Sequence, residues 1–207
     1  MSVSSGEIAF AAIYCAGRAS GRRCCTGLMT HGGFEFLDIK KVPKVVYPGT
    51  VMLIDLAAPR WQIINDTVMG GASNSEVLQA GQGIVFRGQL SLENNGGFAS
   101  TRCQFTEAFD GVETFRLTLR GDGRHYQFRL RASASPDAAA WRAIFSTDGS
   151  LQNIELRLAD FEPVIRGRKL PSNGNVNPAN IRWLGFMLAD RRPGPFELQV
   201  QSIETHP

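Results

Sequence analysis

The stretch "ETFRLTLRGDGRHYQFRLR", residues 113–131, decides the fold. Its first half alternates Phe115, Leu117 and Leu119 against Arg116, Thr118 and Arg120. Its second half alternates Tyr126, Phe128 and Leu130 against His125, Gln127, Arg129 and Arg131. Extended backbone sends successive side chains to opposite faces, so each half reads as a strand with one buried and one wet face. Asp122-Gly123 separates the halves. An Asp-Gly pair supplies the positive φ that tight hairpin turns need.

The same period runs outward in both directions. "IVFRGQL" (84–90) is a short apolar-rich strand, and "FASTRCQF" (98–105) sets Ala99, Thr101, Cys103 and Phe105 against Ser100, Arg102 and Gln104. "WRAIFST" (141–147), "IELRL" (154–158), "IRWLGFMLA" (181–189) and "FELQVQSI" (196–203) continue the series. The run at 181–189 is apolar at nearly every position, which predicts a central strand covered on both faces. Asn95-Gly96, Asp110-Gly111, Asp148-Gly149 and Asn173-Gly174 punctuate the runs. Residues 159–180 are expected to form a wandering connection with a helical turn. About nine short strands without a long amphipathic helix predict an all-β fold, an antiparallel β-sandwich or jelly roll.

Composition agrees and locates a break. The chain has 207 residues, 43% hydrophobic and 20% charged, which suits a globular domain. A net charge of +3 is too small to argue for nucleic acid. Residues 1–51 hold Arg18, Arg22, Arg23, Lys40, Lys41 and Lys44 against Glu7, Glu35 and Asp38, which leaves the remainder balanced. They also hold Cys15, Cys24 and Cys25, so Cys103 alone belongs to the body. This pattern predicts a poorly ordered extension over 1–51, with Met52 as the natural start, and a β-sandwich domain over 52–207. A single body cysteine forms no internal disulfide there and reads as a small core residue. No apolar run approaches a membrane span, and "IAFAAIYCAG" (8–17) follows Glu7 rather than a basic leader.

Most chemistry-bearing motifs are missing. "VMGGASN" lacks the lysine and the following helix of a phosphate loop, while "GQGIVF" and "GDGRHY" read as turns. His31, His125 and His206 match no zinc spacing, so no metal is expected. His125, on the polar phase, is expected to be solvated. No nucleophile elbow occurs, and no pair of carboxylates stands out for glycoside cleavage. No catalytic residue and no cofactor are therefore assigned. Trp61, Trp141 and Trp183 read as core residues, with stacking on a sugar as the alternative for an exposed one.

Three polar loops remain as candidate partner or ligand sites. "WQIINDTVMGGASNSEV" (61–77) presents Asn65, Asp66, Thr67, Gly70 and Gly71. "SLENNGGFAS" (91–100) presents Asn94, Gly96 and Gly97, with Arg102 on the polar phase of the strand that follows. "RGDGRHY" (120–126) presents Asp122, Arg124 and Tyr126. Turn chemistry and surface Arg–Asp pairs explain such loops without a ligand. Gathered at one end of a sandwich, they would form a recognition surface. Asp66 has two readings: it satisfies N–H groups of its own turn, or it faces a partner.

Five ordered blocks then carry a resemblance. "WQIINDTVMGGASNS", "FRGQLSLENNGGFASTR", "LRGDGRHY", "FEPVIRGR" and "GPFELQVQSI" resemble the complex I intermediate-associated protein 30 family across roughly residues 53–204. The resemblance implies a galactose-binding-like jelly roll. It also implies the role known for the family in mitochondria, an assembly chaperone of NADH:ubiquinone oxidoreductase that associates with membrane-arm intermediates. It supplies no catalytic residues. The chain is similar to short, stand-alone bacterial members. The expectation is thus a non-enzymatic binding or assembly module with a protein partner such as complex I subunits or assembly intermediates, and without nucleic acid. Its expected place is the bacterial cytoplasm, peripheral to the inner membrane, with the mitochondrion as alternative. A carbohydrate-binding module and a hydrolase using loop carboxylates are the rival expectations.

Overall fold

The computed structural model describes residues 27–30, 33–36, 51–57, 59–106, 109–135, 138–171 and 176–207. The chain divides into two compact units, Met1–Val45 and Val46–Pro207. In the first, β1 (Gly27–Thr30) and β2 (Gly33–Phe36) pair antiparallel. The expectation of an ill-ordered 1–51 otherwise lies outside the described residues, Val51 excepted, as does the Asn173-Gly174 turn.

The second unit holds the remaining strands: β3 (Met52–Leu53), β4 (Gln62–Ile63), β5 (Asn74–Ala80), β6 (Gly83–Leu90), β7 (Ala99–Gln104), β8 (Thr114–Gly121), β9 (His125–Arg131), β10 (Ala140–Ser146), β11 (Leu151–Arg157), β12 (Glu162–Ile165), β13 (Arg168–Lys169), β14 (Trp183–Leu188) and β15 (Gly194–His206). They form two antiparallel sheets. One runs β13-β12-β10-β9-β14-β7-β4, the other β11-β8-β15-β6-β5 with β3 added beside the end of β15. The fold is an all-β sandwich.

The alternation read from 113–131 holds residue by residue. Phe115, Leu117, Leu119, Tyr126, Phe128 and Leu130 are fully buried, and the residues between them are more exposed. Two sheets with one apolar face each can satisfy both faces only by packing those faces together. The core therefore lies between the sheets. Phe115 of the six-stranded sheet meets Phe128 of the other at 5.4 Å between ring centroids, and Phe128 meets Phe186 at the same distance. Such tilted and edge contacts suit the charge distribution of aromatic rings. Cys103 sits in this core, fully buried, as the sequence suggests.

Three features depart from the sequence reading. First, the Asp122-Gly123 and Asp148-Gly149 turns do not close hairpins. β8 and β9 belong to different sheets, as do β10 and β11, so each turn carries the chain across the sandwich. The glycines still adopt positive φ, 84° at Gly123 and 88° at Gly149. Second, 159–180 contains a hairpin, β12–β13, turned by Arg166 and Gly167 with φ of 47° and 79°. Arginine is not a usual residue at positive φ, so this turn carries no clear sequence signal. Third, β14 is interior and buried at every residue, but among the described residues of this unit no second layer covers its outer side. Long side chains of neighbouring strands close over Trp183 and Met187 instead.

Candidate functional site

Asp66 organises the first two candidate loops. It is fully buried in a 3-10 turn, Asp66–Met69. Its Oδ1 accepts from the backbone N–H of Ser73 at 2.9 Å. Its Oδ2 accepts from the Ser73 hydroxyl at 2.6 Å, the Gly97 N–H at 2.6 Å and the Phe98 N–H at 3.2 Å. Burial alone would raise the carboxyl, but these hydrogen bonds outweigh it and hold Asp66 below the usual aspartate value. Asp66 thus bridges its own loop to the one that precedes β7, a role between the two that the sequence offered.

The neighbouring candidates serve the same junction. A β-carbon on Gly71 would collide with the Asp66 carboxylate, and one on Gly96 would stand 2.5 Å from its Oδ2. Both glycines let backbone approach that carboxylate. Gly70 ends the turn at φ 88°, with its N–H donating to the Thr67 carbonyl at 3.1 Å. Asn94 donates from Nδ2 to the Gly70 carbonyl at 3.1 Å. Asn65 accepts the Ser75 hydroxyl at 2.7 Å. What the turn presents outward is Val68 and Met69, 69% and 68% exposed.

The third candidate loop is built around a buried ion pair. Arg124 donates from Nη2 to Asp190 Oδ1 at 2.6 Å and from Nε to Oδ2 at 2.9 Å. Their side chains are only 6% and 4% exposed. Arg124 also donates to the carbonyls of Pro195, at 3.1 Å, and Arg192. Burial works against both charges, yet Asp190 raises the guanidinium of Arg124, and Arg124 with the Arg192 N–H lowers Asp190. Asp122 accepts from the Tyr126 hydroxyl at 3.0 Å and the Glu197 N–H at 2.9 Å. The cluster ties the β8–β9 turn to the β14–β15 connection. The register β7–β14–β9 and β8–β15–β6–β5 brings all three loops to one end of the sandwich.

Arg102 stands elsewhere, in a cleft of about 550 Å³ on the outer face of the seven-stranded sheet. Arg129, Arg131, Trp183 and Met187 form its floor, with Ala140 and Val164 to one side and Val68 and Met69 at the rim. Arg102 lies over the Trp183 ring, 4.8 Å from guanidinium carbon to ring centroid. Trp183 is left 9% exposed. Trp61 packs on Phe186 at 6.4 Å, and Trp141 packs against the core. His125 is exposed, with Nδ1 2.8 Å from the Ser146 hydroxyl.

Sequence reasoning overlooked Arg129, Arg131 and Met187, as well as Asp190 and Ser73. The outward phase of β9 does carry the signal, since Arg129 and Arg131 both stand on it, and β7 adds Arg102. Only the strand order shows that those arginines adjoin. Among the described residues, no group of His, Cys, Asp and Glu suits a metal ion, and no helix is long and apolar enough to cross a membrane.

Known proteins supply a context for this geometry. Two solved structures of the family 11 carbohydrate-binding module of Clostridium thermocellum share the fold. One, from the cellulase Lic26A-Cel5E, has a TM-score of 0.57 at 14% identity and covers 76% of this chain and 95% of that one. The other, in complex with a mixed-linked β-1,3-1,4 tetrasaccharide, has a TM-score of 0.58 at 16% identity, covering 78% and 97%. Likeness at such identity speaks for the fold alone. A protein of Caenorhabditis elegans named probable complex I intermediate-associated protein 30, mitochondrial, is 28% identical over 142 residues, 66% of this chain. The match spans 41% of that relative's length. A model of the complex I intermediate-associated protein 30 family matches residues 55–200, from before the Asp66 junction into β15. The chain therefore belongs to the complex I intermediate-associated protein 30 family.

Proposed function

We propose that this chain is a non-enzymatic binding module that holds unassembled subunits or intermediates of respiratory complex I. Membership of the family supports the class. One observation carries the site: a turn pinned by a buried carboxylate projects two bare apolar side chains, Val68 and Met69. Pre-organised apolar contacts limit the entropy lost when a partner docks. Asn65, Asp66, Thr67, Gly70, Gly71, Asn94, Gly96 and Gly97 then hold the docking turn, and the Asp122–Arg124–Tyr126 cluster keeps its end of the sandwich rigid. Such a module would work at the membrane surface where its subunits emerge.

The sugar-binding alternative has the shared fold behind it. Against it, Arg102 covers a face of Trp183, and none of the exposed large hydrophobic residues described is aromatic. Sugar stacking needs an open ring face.

Affinity capture of the tagged protein from its native source tests the proposal. Complex I subunits are expected in the eluate, and a Val68→Ser/Met69→Ser variant with unchanged melting temperature should lose them. An eluate without those subunits, together with normal complex I on native gels from a deletion strain, would refute the assembly role. Binding on a glycan array would favour the sugar alternative.

A further inference from the structure

The cleft carries a charge arrangement that the fold does not explain. Arg102 and Arg129 both stand opposite Gly185, one on each side of β14. Adjacent strands lie about 4.8 Å apart, so the two arginines leave the sheet about 10 Å apart across a strip without a side chain. A β-carbon at 185 would strike the Thr101 carbonyl, which keeps that strip open. Arg142 stands directly opposite Arg129 on β10. Like charges facing each other on one side of a sheet destabilise it.

Among the described residues no carboxylate lines the cleft. Glu162, on β12, pairs with Arg142 at 3.4 Å and with Lys169. Arg102 donates to the Gln62 amide oxygen and the Ala134 carbonyl, each at 3.2 Å. Arg131 donates to the Ser135 and Ala138 carbonyls at 2.6 and 3.0 Å. Arg129 faces the Met187 sulfur at 2.9 Å, a weak acceptor. The Nε atoms of Arg129, Arg131 and Arg142 are buried without a hydrogen-bond partner. Burial, then Arg131 and Arg142, push Arg129 down to about 10. A guanidinium is rarely buried without an anion.

We propose that this cleft binds a phosphate group, carried by a soluble ester or a lipid headgroup, on the guanidinium groups of Arg102, Arg129 and Arg131. Guanidinium forks match phosphate oxygens in pairs. A doubly charged oxyanion offsets more of this charge than a single carboxylate does. The organic part of the ligand rests on Met187 and the Val68–Met69 rim. The volume suits a small ligand. The cleft crosses the face of the sheet, from Ile64 beside β4 to Val164 on β12, whereas an extended peptide adds along a strand edge.

Calorimetry on the full chain at fixed ionic strength tests the site. The probes are inorganic phosphate, glycerol 3-phosphate, and phosphatidylcholine vesicles with and without phosphatidic acid. Saturable binding is expected, weakened at least tenfold by Arg129→Gln and by Arg131→Gln. Arg120→Gln, an exposed arginine on the other sheet, should change it less than twofold. Saturation by the soluble probes supports a free ester, and saturation only by phosphatidic acid vesicles supports a headgroup. Should Arg129→Gln unfold the protein, Arg102→Gln carries the same comparison. No saturation by any probe, an equal loss in Arg120→Gln, or saturation by oligoglutamate but by no phosphate would each overturn the proposal.

Discussion

Replacing Asp66 by asparagine keeps the side-chain shape and exchanges one oxygen for an NH2 group. The carboxylate accepts four hydrogen bonds, one at Oδ1 and three at Oδ2. An amide has a single oxygen to offer them. With the oxygen at the Oδ1 position, the NH2 faces the N–H groups of Gly97 and Phe98. The Ser73 hydroxyl can turn round to accept, since the Ser91 carbonyl lies 3.2 Å away to receive its proton. Two backbone donors are then left without an acceptor. With the amide flipped, Ser73 N–H faces the NH2, and three bonds lose their charge assistance. A buried donor without a partner costs about 1–3 kcal/mol, so either arrangement costs about 3 kcal/mol. For a domain of this size that lowers the melting temperature by roughly 6–12 °C. Urea denaturation and calorimetry measure it, and hydrogen exchange at Gly97 and Phe98 should accelerate in step. The acid limb supplies a second readout. The folded carboxyl lies below the ordinary value of 3.8, so its contribution is complete above that value and is lost as pH falls through the folded one. Asp66→Asn should flatten that part of the stability profile. A loss below about 0.5 kcal/mol, within the range of ordinary surface substitutions, would refute the role assigned to the carboxylate.

Three further outcomes follow from the same geometry. Gly71→Ala should destabilise strongly in the native background and much less beside Asp66→Gly, because the atoms its β-carbon meets are the Cβ, Cγ and Oδ1 of Asp66; additive losses would disprove the contact. Arg124→Met should cost about 3–5 kcal/mol by stranding a buried carboxylate, and Arg124→Met/Asp190→Leu should recover part of it, both read from chemical denaturation. Burial pushes the Cys103 thiol far above its ordinary value, so a peptide containing Cys103 should resist alkylation at neutral pH until the protein is unfolded, as followed by mass spectrometry.

The strands were legible where apolar residues alternate over six or more positions, as in β8 and β9. Their alternation fixes which side chains go inward whatever the strand pairs with. Short strands such as β4 and β13, two residues each, carry too little pattern to be seen. The resemblance carried by the five blocks was equally legible, because its glycines and polar residues keep fixed spacings. Their physical reason was not. Nothing in "NDTVMGG" announces that Asp66 meets Gly97 and Phe98, more than thirty residues away.

The amino-acid sequence by itself determined the all-β class, the inward face of strands with sustained alternation such as β8 and β9, the Asp-Gly turns and the family. These depend on local periodicity and on residues at fixed separations along the chain. Tertiary structure alone decided that the Asp-Gly turns switch sheets. It also decided that Arg124 pairs with Asp190, and that Arg102, Arg129 and Arg131 share one cleft without a carboxylate among its described lining residues. Charge, burial and hydrogen bonding depend on which strands lie side by side. That order is set by how two apolar faces close over a common core, and no single strand carries it.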